Sequence, residues 1–156
     1  MKKIIIFESE TDSLRTFAHL MAEGFQERGC QVLMADMRQE IQAREEIYAF
    51  TEPGKTSVLF FNHAGLNLLT ENKTSIWNEL NVDCYDFIVD HPMYYHAAIK
   101  FPVQRLTFLC VDEYHQKFIQ RFYQGRVRSF FLPLAGIRSS EPEIPFEKRS
   151  MDILFT

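Results

Sequence analysis

Four short segments of this chain carry side chains able to hold a polar ligand or move a proton: Glu8-Ser9, Asn62-His63-Ala64-Gly65, Asp90-His91-Pro92 and Asp112-Glu113-Tyr114-His115. Asp90 and His91 form the pair best suited to catalysis. An imidazole titrates near neutral pH and a carboxylate can orient it, so the pair suits taking a proton from an attacking hydroxyl. The plainer reading is that Asp90 caps the turn that His91-Pro92 opens. Asn62, His63 and Gly65 offer an amide, an imidazole and close backbone approach to a polar acceptor, or else form a simple turn. Asp112 stands where a helix N-cap belongs, with His115 one turn later. Glu8 is a ligand-bonding group or the partner of a helix dipole, and Ser9 is a second ligand-bonding group or part of a helix cap. Tyr94-Tyr95 could stack on a sugar ring or be partly buried.

Other chemistries lack their motifs. No HxH or HExxH spacing exists, so no metal is expected, and a small metal-assisted hydrolase is the least favoured reading. Gly54-Lys55-Thr56 resembles the tail of a P-loop, but Ala49 stands where the first glycine belongs and the tripeptide precedes a strand. Phe7-Glu8-Ser9-Glu10 has no glycine for a dinucleotide turn. A receiver domain needs an acidic residue at the end of the third strand, where Asn62-His63 stand.

The four segments share a context, because each follows a short apolar run. The runs at 4–7, 31–37, 57–61, 85–90, 105–111 and 128–132 read as strands. Helical patterns separate them. The first follows a Ser9-x-x-Asp12 capping box and repeats Leu14, Phe17, Ala18, Met21 and Phe25. Less regular helices are expected near 38–50, 75–80 and 94–100. The last follows Asp112 and places Phe118, Ile119, Phe122 and Tyr123 on one face. Such alternation predicts right-handed βαβ units: an α/β, Rossmann-like parallel sheet of about six strands with helices on both faces. Ligands of open α/β sheets bind outside the carboxyl ends of the strands, where all four polar segments fall. If strand order reverses between the first and fourth strands, Glu8 and Asp90-His91 flank the crevice.

Composition narrows the partners. A net charge of −4 gives no basic field for nucleic acid or an anionic membrane. Glu8, Glu10 and Asp12 interrupt the apolar start, so neither a signal peptide nor a membrane span is expected. Cys30, Cys84 and Cys110 are scattered and odd in number, which suits reduced thiols in a cytoplasmic protein. Residues 1–140 suit one domain. Glu141-Pro142-Glu143-Ile144-Pro145 reads as a linker. Residues 151–156 then read as the first strand of a second, missing domain, or as an edge strand of the main sheet.

Asp90-His91-Pro92, Leu109-Cys110-Val111-Asp112-x-Tyr114-His115, Phe131-Leu132-Pro133-Leu134-Ala135-Gly136 and Asp152-Ile153-Leu154-Phe155-Thr156 occur in this order. Together they resemble the N-terminal region of bacterial glycosyltransferases of the spore-maturation-protein type, which have the two-domain GT-B fold. The resemblance is sharpest from Val58 onward. It implies metal-independent transfer of a sugar from a nucleotide-sugar donor to a glycan or protein acceptor. The donor would sit mainly on a C-terminal domain, leaving this domain the acceptor contacts and no cofactor of its own. Asp90-His91 matches the family's Asp-His-Pro segment by position only. A flavodoxin-like, non-catalytic binding or regulatory module is the alternative from a different class.

Overall fold

A computed structural model of the chain describes residues 1–123, 125–133 and 145–148. The proposed linker apart from Pro145, the expected strand at 151–156 and the last resembling segment lie outside the described residues. The elements are β1 (Lys3–Phe7), α1 (Asp12–Glu27), β2 (Gln31–Ala35), α2 (Glu40–Phe50), β3 (Thr56–Phe61), α3 (Ile76–Glu79), β4 (Asp83–Ile88), α4 (His96–Ile99), β5 (Leu106–Cys110), α5 (Glu113–Phe122) and β6 (Arg128–Phe131). Tight 3-10 turns lie at Met37–Gln39, Pro92–Tyr95 and Phe146–Lys148.

The six strands form one sheet in the order β2-β1-β3-β4-β5-β6, and every pairing is parallel. The expected Rossmann-like α/β architecture is therefore present. The place where strand order reverses is not the one supposed. The connection from β2 crosses β1 and lands beside it, so β3, not β4, is the second neighbour of β1. The switch lies between β1 and β3, whose ends lead to Glu8 and to Asn62-His63, with Asp90-His91 one strand farther out.

Right-handed crossovers then dictate where the helices go. Only the β1-to-β2 connection runs toward one side of the sheet; the other four run the opposite way. One face consequently receives α1 alone, which buries Leu14, Ala18 and Ala22 against Ile6, Leu59 and Phe61. The other face carries the main core, where Phe7, Val58, Phe60 and Phe108 meet Ile47, Trp77, Ile99 and Ile119 from the remaining helices. On the α1 face, Phe61, Phe87, Leu109 and Phe130 lie in register across four strands. Phe61 is buried under α1, whereas Phe130 is 58% exposed, because α1 does not reach β6. Among the described residues, no helix is long and apolar enough to cross a membrane.

Two local expectations need correction. The Ser9-x-x-Asp12 capping box does not form. Thr11 is the N-cap of α1, without a side-chain cap bond. The Ser9 hydroxyl accepts instead from the Thr11 N–H (3.2 Å), and Asp12 pairs with Arg15 (2.9 Å). Ser9 thus turns the chain ahead of the helix. Phe122 does not share the buried side of α5 with Ile119 and Tyr123. It is 60% exposed and rests on Phe118, with ring centroids 4.7 Å apart.

The loop after β3 is fixed to the core from several sides. Trp77 packs edge-on against Phe7 and Phe60, and its indole N–H donates to the carbonyls of Gly65 and Leu66, both at 3.1 Å. Gly65 has φ +84°, and a Cβ there would lie 2.3 Å from the Phe7 ring. Gly65→Ala should therefore lower unfolding stability by about 2–4 kcal/mol, combining backbone strain with core overpacking. Equilibrium urea unfolding of the variant beside the parent measures this.

Candidate functional site

The polar residues at the carboxyl ends of β3 and β4 are drawn together by one sharp bend. Asn62 and His63 both take left-handed backbone conformations, with φ of 46° and 70°. For side chains other than glycine this costs about 1–2 kcal/mol per residue, so tertiary bonds must hold them there. Asn62 supplies several. Its N–H donates to the Phe87 carbonyl (3.1 Å), its Oδ1 accepts from the Val89 N–H (3.0 Å), and its Nδ2 donates to Asp90 Oδ2 (2.9 Å). The side chain thereby acts as an extra rung between the ends of two strands.

His63 supplies the rest. Asp86 lies in the register row between Phe60 and Phe108 on the main core face, and it is fully buried. An ionised carboxylate at such a place is costly without partners. The bend brings the His63 N–H to Asp86 Oδ1 (3.1 Å) and His63 Nδ1 to Asp86 Oδ2. Both oxygens are therefore met by one residue. At the far side of the ring, His63 Nε2 is buried and has no hydrogen-bond partner among the described residues. Tyr95 stands edge-on to the imidazole with centroids 4.4 Å apart, and Phe108 lies behind at 6.0 Å. The Tyr95 hydroxyl donates to Asp90 Oδ2 (2.8 Å). Burial, helped by that bond to Asp90, raises the Tyr95 pKa and keeps the hydroxyl a donor.

Chemically this is an imidazole oriented by a carboxylate. With Nδ1 bonded to Asp86, the tautomer that satisfies the network carries its proton there and leaves the lone pair on Nε2. That is the arrangement a general base requires.

The other expected residues fall into two groups. His91 Nδ1 accepts from the Met93 N–H (3.2 Å), and its ring packs edge-on against His115 and Phe118, with centroids 5.1 and 4.9 Å away. Asp112 Oδ1 accepts from the Tyr114 N–H (2.6 Å) as the N-cap of α5. The buried Nδ1 of His115 has no hydrogen-bond partner among the described residues, and burial lowers the His115 pKa against the opposing pull of Asp112, favouring the neutral ring. Asp90, His91, Asp112 and His115 thus gather around the ends of β4 and β5, beside Asn62 and His63. Glu8 and Ser9 stand apart. Glu8 meets Arg38 (3.1 Å) and His19 (3.5 Å), and Glu8 and Arg38 border a hollow of about 180 Å³ with Arg15 and Asp36. No described hydrogen bond ties Glu8 or Ser9 to the Asn62–Asp90 group. Among the described residues, no cluster of three or more His, Cys, Asp or Glu side chains is placed to hold a metal ion.

Asp86 is the residue that the strand pattern failed to single out. A signal was present, since a carboxylate inside an otherwise apolar buried strand must be met by a partner. No family model, curated protein or solved structure matches the chain.

Removing the Asp86 carboxylate leaves two His63 groups without an acceptor. Asp86→Ala should cost about 3–5 kcal/mol of unfolding stability. Asp86→Asn should cost less, because its amide oxygen can still accept one of the two bonds. Denaturant titration of both variants measures the difference.

Proposed function

We propose that this chain is the acceptor-side, N-terminal domain of a glycosyltransferase that moves sugar from a nucleotide-sugar donor to a glycan or protein hydroxyl. The carrying observation is the Asp86–His63 pair, in which His63 Nε2 is buried beside the carboxyl edge with no hydrogen-bond partner among the described residues. An acceptor hydroxyl must lose its proton as its oxygen attacks the anomeric carbon. In this reading His63 Nε2 takes that proton, and Asp86 holds the ring.

His63 is favoured over His91 because His91 already spends Nδ1 on the Met93 N–H. Asp90 is favoured as an anchor, since its carboxylate is exposed and accepts from Asn62 and Tyr95. An acceptor hydroxyl bound there competes with the Tyr95 hydroxyl and frees Tyr95 to leave the imidazole. Donor phosphate and nucleotide contacts belong to a second domain in this account, and no metal or cofactor is assigned to this one. The ordered segments that resemble spore-maturation-type glycosyltransferases support the same reading, which would place the protein in a bacterial cytoplasm. The strand order favours one rival, a non-catalytic flavodoxin-like module, because β2-β1-β3-β4-β5 is the order of such folds.

The test uses the two-domain protein and transfer from nucleotide-sugar donors. His63→Ala should lower kcat by about 100-fold or more, with donor KM little changed. Asp90→Asn should act mainly on acceptor KM, and His91→Ala should remain near the parent. Full turnover by His63→Ala would remove the base. Absence of a transferase domain after residue 156 would favour the non-catalytic module.

A further inference from the structure

Two adjoining hollows open at the amino-terminal ends of β5 and β6, on the edge of the sheet opposite Asn62 and Asp90. The larger is about 720 Å³ and has Ile99, Leu106 and Val127 among its walls. The smaller, about 510 Å³, is flanked by Phe118 and Phe122 of α5. Both include Lys100 and Arg126; Arg128 joins them in the larger and Arg121 in the smaller. Among the described residues, no Asp or Glu lines either one.

All four cations are exposed, and none forms an ion pair among the described residues, whereas seven other Lys and Arg side chains do. The carboxylate at the start of β4, Asp83, is already engaged by Arg105 at 2.8 Å. Four like charges left together in a chain of net charge −4 repel one another. An anion would relieve that repulsion.

The wall of the larger hollow is held in place. Asn78 Nδ2 donates to the Pro102 carbonyl (2.7 Å), and Asn78 Oδ1 accepts from the Gln104 N–H (2.8 Å). The Arg126 N–H is fixed on the Tyr123 carbonyl (3.1 Å).

The geometry points to a binding site for a small organic phosphate, with its anionic group on Arg126, Arg128 and Lys100 and its apolar body against the partly exposed Phe101, Val103 and Val127. Guanidinium groups match phosphate oxygens with two parallel N–H bonds. The larger hollow has the size of a small-molecule pocket. The cations surround two hollows with partly apolar walls instead of forming a stripe, and the chain as a whole is acidic, which disfavours an extended polyanion. The site is independent of the transferase reading, since it lies on the other edge of the sheet.

Phenyl phosphate titrated into the isotope-labelled chain tests this by amide chemical shifts. Saturable shifts are expected at residues 100, 101, 103, 104 and 125–128. Affinity should fall roughly tenfold or more in the Arg126→Gln, Arg128→Gln double variant, which loses two charged hydrogen-bond donors. Retained amide dispersion shows that the variant is folded. Benzyl alcohol, which has the apolar body without the charge, should bind far more weakly. The assignment is overturned if no saturable shifts occur there, if the double variant binds as the parent does, or if benzyl alcohol binds equally well. It is also overturned if shifts spread over unrelated cations such as Lys2 and Lys73, or if polyphosphate alone binds.

Discussion

A carboxylate buried between two phenylalanine strands has to be met from nearby, and much of the rim of this protein follows from how that is done. Asp86 sits in register between Phe60 and Phe108, where water does not reach it. Its partners come from His63, which arrives only because β3 ends in two successive left-handed residues. Those conformations are held by the Asn62 bonds to the end of β4. Gly65 lets the returning chain pass over Phe7, and Trp77 holds the Gly65 and Leu66 carbonyls. Strain, burial and hydrogen bonding converge on one loop, as they do where a structure is shaped for more than stability.

The topology explains why this loop lies where a ligand can approach. With one crossover running one way and four the other, α1 has a face of the sheet to itself and the remaining helices crowd the second. Asp86, His63 and Tyr95 belong to the crowded face, close to the carboxyl ends of β3 and β4. The Pro92–Tyr95 turn places Tyr95 over the imidazole and ties it to the exposed Asp90. The polar rim therefore has an outer layer that can exchange partners and an inner pair that is already oriented. At the opposite edge, the charge pattern is reversed, with cations gathered around apolar walls. Net charge alone could not reveal this, because a sum carries no information about position.

Much of the architecture was legible in the order of residues. β-branched and aromatic runs separated by amphipathic segments identify the six strands, and Asp112 marks the start of α5. The strand order was not legible. It depends on whether the connection from β2 lands beside β1 or beyond it, and no local propensity encodes that choice. The residues gathered at the rim, from Asn62 to His115, were legible because strand ends can be read and the carboxyl edge of a parallel sheet is a defined place. Glu8 and Ser9 were harder: Arg38, thirty residues away in the chain, claims the carboxylate, and Ser9 serves its own turn. Asp86 was not legible as a site residue because it lies inside a strand and not at its end. Its informative feature is that position itself, a charge within a strand where every inward neighbour is apolar.

The account rests on His63 presenting an unprotonated Nε2 while Nδ1 is bonded to Asp86. Long-range proton–nitrogen correlation spectra of the imidazole at mildly alkaline pH test this directly. The account predicts that Nδ1 carries a hydrogen-bonded, slowly exchanging proton and that Nε2 shows the shift of a bare lone-pair nitrogen. A proton found on Nε2, or an imidazole averaging freely between both tautomers, would contradict it.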